Sequence, residues 1–211
     1  MRNYTRSIFL SALLGILLAG CGTTPPAAFY TLAPLPAAET GNGAVTEQSP
    51  AVGVGPVSFP AFLDRAQLVA RSGSSELTVD ELHRWGGSLQ DDFPRVLGEN
   101  LAHLLGTSRI LLYSAEVPYP VDFRVAVDVL RFETTQRGEA VLKARWALLD
   151  PYTGEALQVK EETYRATAAS GEPAALVDAM SRALGDFSRK VADAIRERPR
   201  PRRPARERGD L

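Results

Sequence analysis

The chain has few of the residues that most often form catalytic and metal sites: it contains one cysteine and two histidines among 211 residues. A single cysteine excludes a disulfide within the chain, so the packing of a core has to stabilise the fold. His83 and His103 have no further histidine or cysteine at metal-ligand spacing, and no serine nucleophile with a base and an acid is recognisable. The sequence therefore predicts no metal, no cofactor and no catalytic residues, and hence a protein that is not an enzyme.

The chain also lacks an apolar run long enough for a permanent transmembrane helix. Its longest run covers residues 8–18, about half of the roughly 20 residues that span a bilayer. Two arginines precede this run, and the small residues Ala19 and Gly20 follow it. This order is typical of a removable signal peptide, which we predict for residues 1–20.

The only cysteine, Cys21, stands directly after this predicted signal peptide. An unpaired thiol is a liability in an oxidising compartment, and its position fits a lipid attachment site. We therefore predict that Cys21 carries a diacylglycerol and an N-acyl chain; the alternative is an ordinary secreted protein with a stray thiol. Gly22 follows where an aspartate would retain the protein in the inner membrane, so the expected location is the periplasmic face of the outer membrane.

Composition divides the rest of the chain into a tether, a body and a tail. Residues 21–50 are rich in proline, alanine, threonine and glycine, which predicts a flexible tether with a short strand near residues 29–32. Residues 51–195 are long enough for one domain with a substantial core. The arginine- and proline-rich residues 196–211 are expected to be disordered.

The net charge of −1 conceals an acidic body and a basic tail. Residues 196–211 hold seven arginines against three acids, and residues 1–20 hold two arginines, which leaves −7 for residues 22–195. Domains that bind nucleic acid have basic folded patches, so we exclude nucleic acid as a partner. The tail either contacts anionic lipid headgroups, lipopolysaccharide or cell wall, or is only a solubilising extension.

Two amphipathic helices are predicted from apolar residues spaced three and four apart. The first covers residues 88–105, with Ser88 as its N-cap and Gly106 after its last turn. The second opens at residues 170–173 and continues to Ile195.

Strands are predicted where apolar and polar residues alternate. In the second half of the chain, turns join three such segments, residues 123–129, 142–148 and 155–166. Shorter candidate strands are residues 51–59, 67–71, 76–79 and 109–113. Pro56 suggests that the strand containing it lies at an edge or has a bulge. The predicted fold class is α/β (α+β), a single domain in which amphipathic helices flank a mixed, largely antiparallel sheet.

His83, Arg84 and Trp85 are the candidate partner-binding residues. An exposed arginine and tryptophan side by side, directly before a helix, could anchor a partner protein. The alternative, which the sequence leaves open, is that Trp85 belongs to the core and Arg84 stacks on it.

Several short motifs follow Cys21 in a specific order and spacing. They are Phe29-Tyr30-Thr31-Leu32, Val52-Gly53-Val54-Gly55-Pro56-Val57, Leu63-Asp64-Arg65, Gln67-Leu68-Val69, His83-Arg84-Trp85 and Val96-Leu97-Gly98-Glu99-Asn100-Leu101. Together they resemble the PqiC-like auxiliary lipoproteins of ABC-type transport systems, over most of the chain from Cys21 to about Ile195.

This resemblance implies a periplasmic domain tethered to the outer membrane that docks an MCE-domain protein of an inner-membrane transport complex. MCE assemblies form tunnels that move lipids between the two membranes, and relatives assemble as homo-oligomeric rings around the tunnel end. Two alternatives stay open. The chain could be an assembly or structural tethering lipoprotein of the outer membrane without an ABC transporter, or a carrier that itself holds an acyl chain.

Overall fold

The computed structural model describes residues 26–36, 49–113 and 120–201. The predicted signal peptide, residues 21–25 and 37–48 of the predicted tether, which include Cys21, and the end of the tail from residue 202 lie outside the described residues. Within the described part of the chain, no helix is long and apolar enough to cross a membrane.

Two helices are present where the apolar spacing predicts them. Helix α1 (Leu89–Leu105) begins at Ser88, whose side-chain oxygen accepts a hydrogen bond of 3.2 Å from the backbone N–H of Gln90. It ends at Gly106, whose φ of +59° is the left-handed conformation that glycine adopts easily. Helix α2 (Pro173–Arg196) starts with a proline in its first turn, where the missing N–H costs nothing.

Eight strands form a single sheet in the described part of the chain. Their bounds are β1 (Ala28–Tyr30), β2 (Val52–Ser58), β3 (Gln67–Ser72), β4 (Glu76–Trp85), β5 (Ile110–Leu112), β6 (Phe123–Thr135), β7 (Glu139–Leu149) and β8 (Ala156–Thr167). A short 3₁₀ turn, Ala61–Leu63, connects β2 to β3. The mixed, mostly antiparallel sheet with two helices confirms the predicted fold class.

The long strand β6 organises this sheet. One of its edges pairs with β7, which pairs with β8, and both pairings are antiparallel, as the predicted meander requires. The other edge is shared: β2 pairs in parallel with the first half of β6, and β3 pairs in parallel with its last residues. Beyond β2 lies β5, and beyond β3 lie β4 and then β1, so β1 and β8 are opposite edges of the sheet.

Two strands differ in detail from their predicted form. The register of β2 against β6 slips between Val54 and Val57, next to the cis Gly55–Pro56 bond, so the bulge is confirmed and β2 is an interior strand between β5 and β6. Strand β4 continues to Trp85, six residues beyond the predicted 76–79. Asp80 hides this continuation, because a charged residue there interrupts the apolar alternation while β1 and β3 still pair with the strand.

The core lies between one face of the sheet and the two helices. Phe93 of α1 packs edge-on against Phe132 of β6 with ring centroids 5.4 Å apart, and Phe187 of α2 packs against Trp146 of β7 at 6.2 Å. Helix α1 covers β2 and β5, and α2 covers the β6–β8 meander. No described element covers the opposite face of that meander.

Candidate functional site

Part of the predicted tether is docked on the body. Residues 28–35, here called the strap, begin as strand β1, which adds to the edge of β4 with Ala28 opposite His83 and Tyr30 opposite Trp85. The carbonyl of Tyr30 also accepts a hydrogen bond of 2.7 Å from the backbone N–H of Gly86. The short predicted strand near residues 29–32 is thus present, one to two residues earlier.

After β1 the strap enters the groove between α1 and α2. The backbone N–H of Leu32 donates to a carboxylate oxygen of Asp92 at 2.7 Å, and that of Ala33 donates to the hydroxyl of Ser181 at 3.0 Å. Arg95 donates to Asp92 as well, which fixes the carboxylate and raises the pKa of Arg95. Asp92 and Arg95 belong to α1 and Ser181 to α2, so both helices hold the strap.

The deepest contact of the strap is made by Leu35. Its backbone N–H donates to the side-chain carbonyl of Asn100 at 2.8 Å, while the amide nitrogen of Asn100 donates to the hydroxyl of Ser188 at 3.0 Å. The Leu35 side chain fills space that Gly185 leaves open, because a Cβ on Gly185 would lie 2.6 Å from a Leu35 methyl. Asn100 and Ser188 are fully buried, so they join the strap to both helices inside the protein.

This docking keeps the body close to Cys21. Only seven residue steps separate Cys21 from Ala28, the first residue of β1, and an extended chain spans at most about 3.5 Å per residue, or roughly 25 Å in total. A lipid on Cys21 would therefore hold the β1 edge of the sheet near the membrane.

The predicted partner-binding residues stand at the end of β4, beside the strap. Trp85 is only 6% exposed and belongs to the core, so the exposed arginine–tryptophan pair is not formed. Arg84 does not reach the tryptophan ring; its Nε donates to the backbone carbonyl of Glu81 at 3.0 Å. Its side chain is 39% exposed and that of His83 is 30% exposed, so both remain accessible for a partner. Their partner-binding role stays a prediction.

His83 is held by Asp80 through a side-chain contact of 2.7 Å between Nδ1 and a carboxylate oxygen. The same carboxylate accepts hydrogen bonds from the backbone N–H groups of Leu82 and His83. Burial alone would raise the pKa of Asp80, but these hydrogen bonds outweigh it and hold the pKa below its ordinary value. The ionised form of Asp80 therefore stabilises the bulge in β4 around His83, where the register against β3 shifts between Asp80 and Arg84.

Two exposed apolar features escape the sequence patterns. Phe29 is 66% exposed on β1, although its neighbour Tyr30 is half-buried. On the uncovered face of the meander, Ala126, Ala147 and Val159 line a hollow of about 280 Å³. A strand of three residues is too short for alternation to show that Phe29 is exposed. Small apolar residues on a polar strand face are also a weak signal, so neither surface could be identified before the strands were paired.

The buried charge of Glu133 has a structural role. Glu133 is fully buried, and its Oε1 accepts hydrogen bonds from the Nε atoms of Arg71 at 2.5 Å and Arg131 at 2.8 Å. Arg71 lies on β3 and Glu133 on β6, so the cluster joins these two parallel strands. Among the described residues, no group of three or more histidine, cysteine, aspartate or glutamate side chains could hold a metal ion.

The strap, the groove and the sheet all fall within one family match. The model of the ABC-type transport auxiliary lipoprotein component family matches residues 30–192 of this chain. The chain belongs to this family. The match runs from Tyr30 in β1 to the last turns of α2, and it confirms the resemblance carried by the motifs.

Known structures share the fold of this auxiliary lipoprotein. The crystal structure of an uncharacterized protein has a TM-score of 0.66 with 16% identity over 81% of this chain and 99% of the other. That of a protein from Xanthomonas campestris has a TM-score of 0.65 with 19% identity over 80% of this chain and 94% of the other. Among curated proteins, none matches this auxiliary lipoprotein in sequence. The family is one of transport components and not a known enzyme family.

Proposed function

We propose that this auxiliary lipoprotein is anchored through acylated Cys21 at the periplasmic face of the outer membrane and docks an MCE-domain protein of an inner-membrane ABC-type transport complex. Bound there, it would hold the end of the lipid-conducting tunnel against the outer membrane. The docked strap is the observation that carries this proposal. Buried contacts hold the strap on the body, so only seven residue steps of chain separate Cys21 from the sheet, and such a short link favours holding a partner close to the membrane.

The strap supports such a role because it is attached both to the sheet and to the two helices. It pairs with β4, lies on α1 and α2, and places Asn100 and Ser188 beneath it. A pull on the partner would be transmitted through these contacts to the roughly 25 Å of chain before β1. No chemical step on the lipid is required of the protein.

Two accessible surfaces are proposed for the partner. One is the β1–β4 edge with His83 and Arg84, and the other is the uncovered face of the meander with the hollow beside Val159. A homo-oligomeric ring would present several copies of either surface at once, and the resulting multivalency would strengthen weak single contacts.

A crosslinking pull-down from native membranes tests the proposal. The full-length lipoprotein is the bait, and a Cys21→Ala variant, which cannot be acylated, is the matched control. We expect an MCE-domain protein in the first sample and its loss, together with release of the bait from the outer-membrane fraction, in the second. Recovery of only an outer-membrane barrel or cell-wall material would instead establish the structural tethering alternative.

Photo-crosslinking amino acids at positions 84 and 159 identify the partner surface. Both side chains are accessible, and both positions tolerate a bulky probe because neither belongs to the core. Capture of the MCE-domain protein from one position and not the other assigns the surface. Capture from neither position would exclude both.

A further inference from the structure

Phe29 is the most exposed large apolar side chain of the described residues, with 66% of its surface open to solvent. The other phenylalanines of the described chain, such as Phe93 and Phe132, are buried or half-buried in the core. Single exposed apolar side chains are common on protein surfaces and need no explanation by themselves. The position of Phe29 relative to Cys21 and Arg84 distinguishes it.

Phe29 lies on the part of the body that is closest to Cys21 along the chain. Eight residue steps separate the two, so the Cα of Phe29 lies within about 28 Å of that of Cys21 even if the link is fully extended. Strand β1 is an edge of the sheet, and no described strand pairs with its outer side. With lipid on Cys21, this link keeps the β1 edge within reach of the membrane surface.

A cation stands beside this exposed ring. Phe29 is opposite Arg84 in the parallel pairing of β1 with β4, and residues paired in this way project to the same face of a sheet. The guanidinium of Arg84 lies 3.8 Å from the carboxylate of Glu81, a surface pair that contributes little. A hydrogen bond to the backbone carbonyl of Glu81 holds the Nε of Arg84, whereas its terminal nitrogens make only this weak pair among the described contacts and can bind another anion. An apolar ring next to a basic group is the combination that binds membrane interfaces.

We infer that the β1–β4 edge is a membrane-contacting surface, on which Phe29 inserts among the lipid chains near the headgroups and Arg84 binds a lipid phosphate. This inference rests on the proposed acylation of Cys21, which raises the local concentration of lipid at the edge enough for a weak contact to form. The ligand of Arg84 would then be a phospholipid bilayer. The uncovered face of the meander is then left for the MCE-domain protein.

The geometry of the sheet supplies a control position. Strands β1 and β8 are opposite edges with β4, β3, β6 and β7 between them, so five strand spacings, or roughly 24 Å, separate them. Thr31, two residues after Phe29, and Val159 on β8 are both exposed. Thr31→Cys and Val159→Cys each introduce a single reactive thiol for labelling, because the sulfur of the only native cysteine, Cys21, is blocked by the lipid.

The test uses the full-length acylated protein in vesicles of phosphatidylethanolamine and phosphatidylglycerol. Each variant is labelled with an environment-sensitive fluorophore, and a fraction of the lipids carries a nitroxide near the headgroup. We expect the label at position 31 to lose roughly half or more of its fluorescence, because the β1 edge rests on the interface. The label at 159 should lose less than about a tenth, because it lies beyond the width of the sheet.

Two further variants test the named residues on the position-31 label. Phe29→Ser and Arg84→Gln should each move its quenching towards the value at 159, and neither should alter folding, because both side chains are accessible. Equal quenching at 31 and 159, or no effect of either variant, would overturn the inference. Mass spectrometry of the same samples separates its failure from that of the anchor: missing acyl mass refutes the lipidation of Cys21, whereas intact acyl mass with an unquenched position 31 refutes only the contact.

Discussion

Replacing Asn100 with alanine should loosen the strap while leaving the body folded. Asn100 is fully buried and is the only described side chain that hydrogen-bonds the backbone of Leu35. Alanine leaves the N–H of Leu35 without an acceptor in a place that water does not reach. Ser188 is less affected, because its hydroxyl still donates to the carbonyl of Leu184 at 2.7 Å. The loss therefore falls mainly on the strap.

The magnitude follows from two limits. A buried N–H left without a partner costs about 1–3 kcal/mol. The cost cannot exceed the free energy that docks the strap, because beyond that value the strap lifts off and its N–H groups reach water. Burial of Leu32 and Leu35 sets this ceiling at about 3–6 kcal/mol. We expect the free energy that docks the strap to fall by about 2 kcal/mol, which is equivalent to roughly a 30-fold rise in the fraction of undocked strap.

Hydrogen exchange measured by mass spectrometry tests this prediction on the mature chain with Cys21→Ser, which needs no detergent. Amides of residues 28–35 should exchange about 30-fold faster in Asn100→Ala, while those of β6 and β7 keep their rates. Ser181→Ala is the matched control, since it also removes a strap acceptor, but at an exposed bond that water can replace. Unchanged exchange of the strap would refute the reasoning, and so would equal acceleration throughout the body.

Three further predictions concern packing and charge. Gly185→Ala should lower the free energy of unfolding in urea by about 1 kcal/mol, because the crowding of Leu35 outweighs the gain in helix propensity. In a Leu35→Ala background the same substitution should stabilise the protein by about 1 kcal/mol. Equal effects in both backgrounds would disprove the contact between the two residues. Asp80→Asn should be destabilising at neutral pH. Because the folded pKa of Asp80 is depressed, its contribution is present above the ordinary value of 3.8 and is lost as pH falls through the folded pKa, so urea unfolding from pH 7 to pH 2 should show the two proteins converging in acid. Glu133→Gln should cost about 2–3 kcal/mol in the same assay by leaving two arginines without their counter-charge, and a neutral effect would show that the cluster does not hold β3 to β6.

Much of the fold could be predicted because local patterns carry it. The cap at Ser88, the left-handed Gly106 and the apolar spacing of α1 are properties of neighbouring residues. The β6–β8 meander is similar, since each strand pairs with the next one and period-two alternation marks its buried face. These elements fold as predicted because short-range and long-range interactions favour the same structure.

The site was predicted less completely. His83 and Arg84 are accessible, but the sequence could not show that Trp85 faces the core, since this depends on which face of the whole sheet packs against the helices. The exposure of Phe29 likewise depends on the pairing of β1 with a strand more than fifty residues later. Such pairings leave no periodic trace in a segment of three residues.

The sequence by itself determined the helices, the meander, the resemblance to the auxiliary lipoproteins and the position of the one cysteine, because each is recorded in residues that are close along the chain. Only the tertiary structure decided that the strap is docked in the groove between the helices. Its hydrogen bonds join residues 60 to 148 positions apart. Partners at that separation are selected by the shape and burial of the completed groove. Gly185 leaves space for the side chain of Leu35, and Asn100 accepts a hydrogen bond from its backbone N–H.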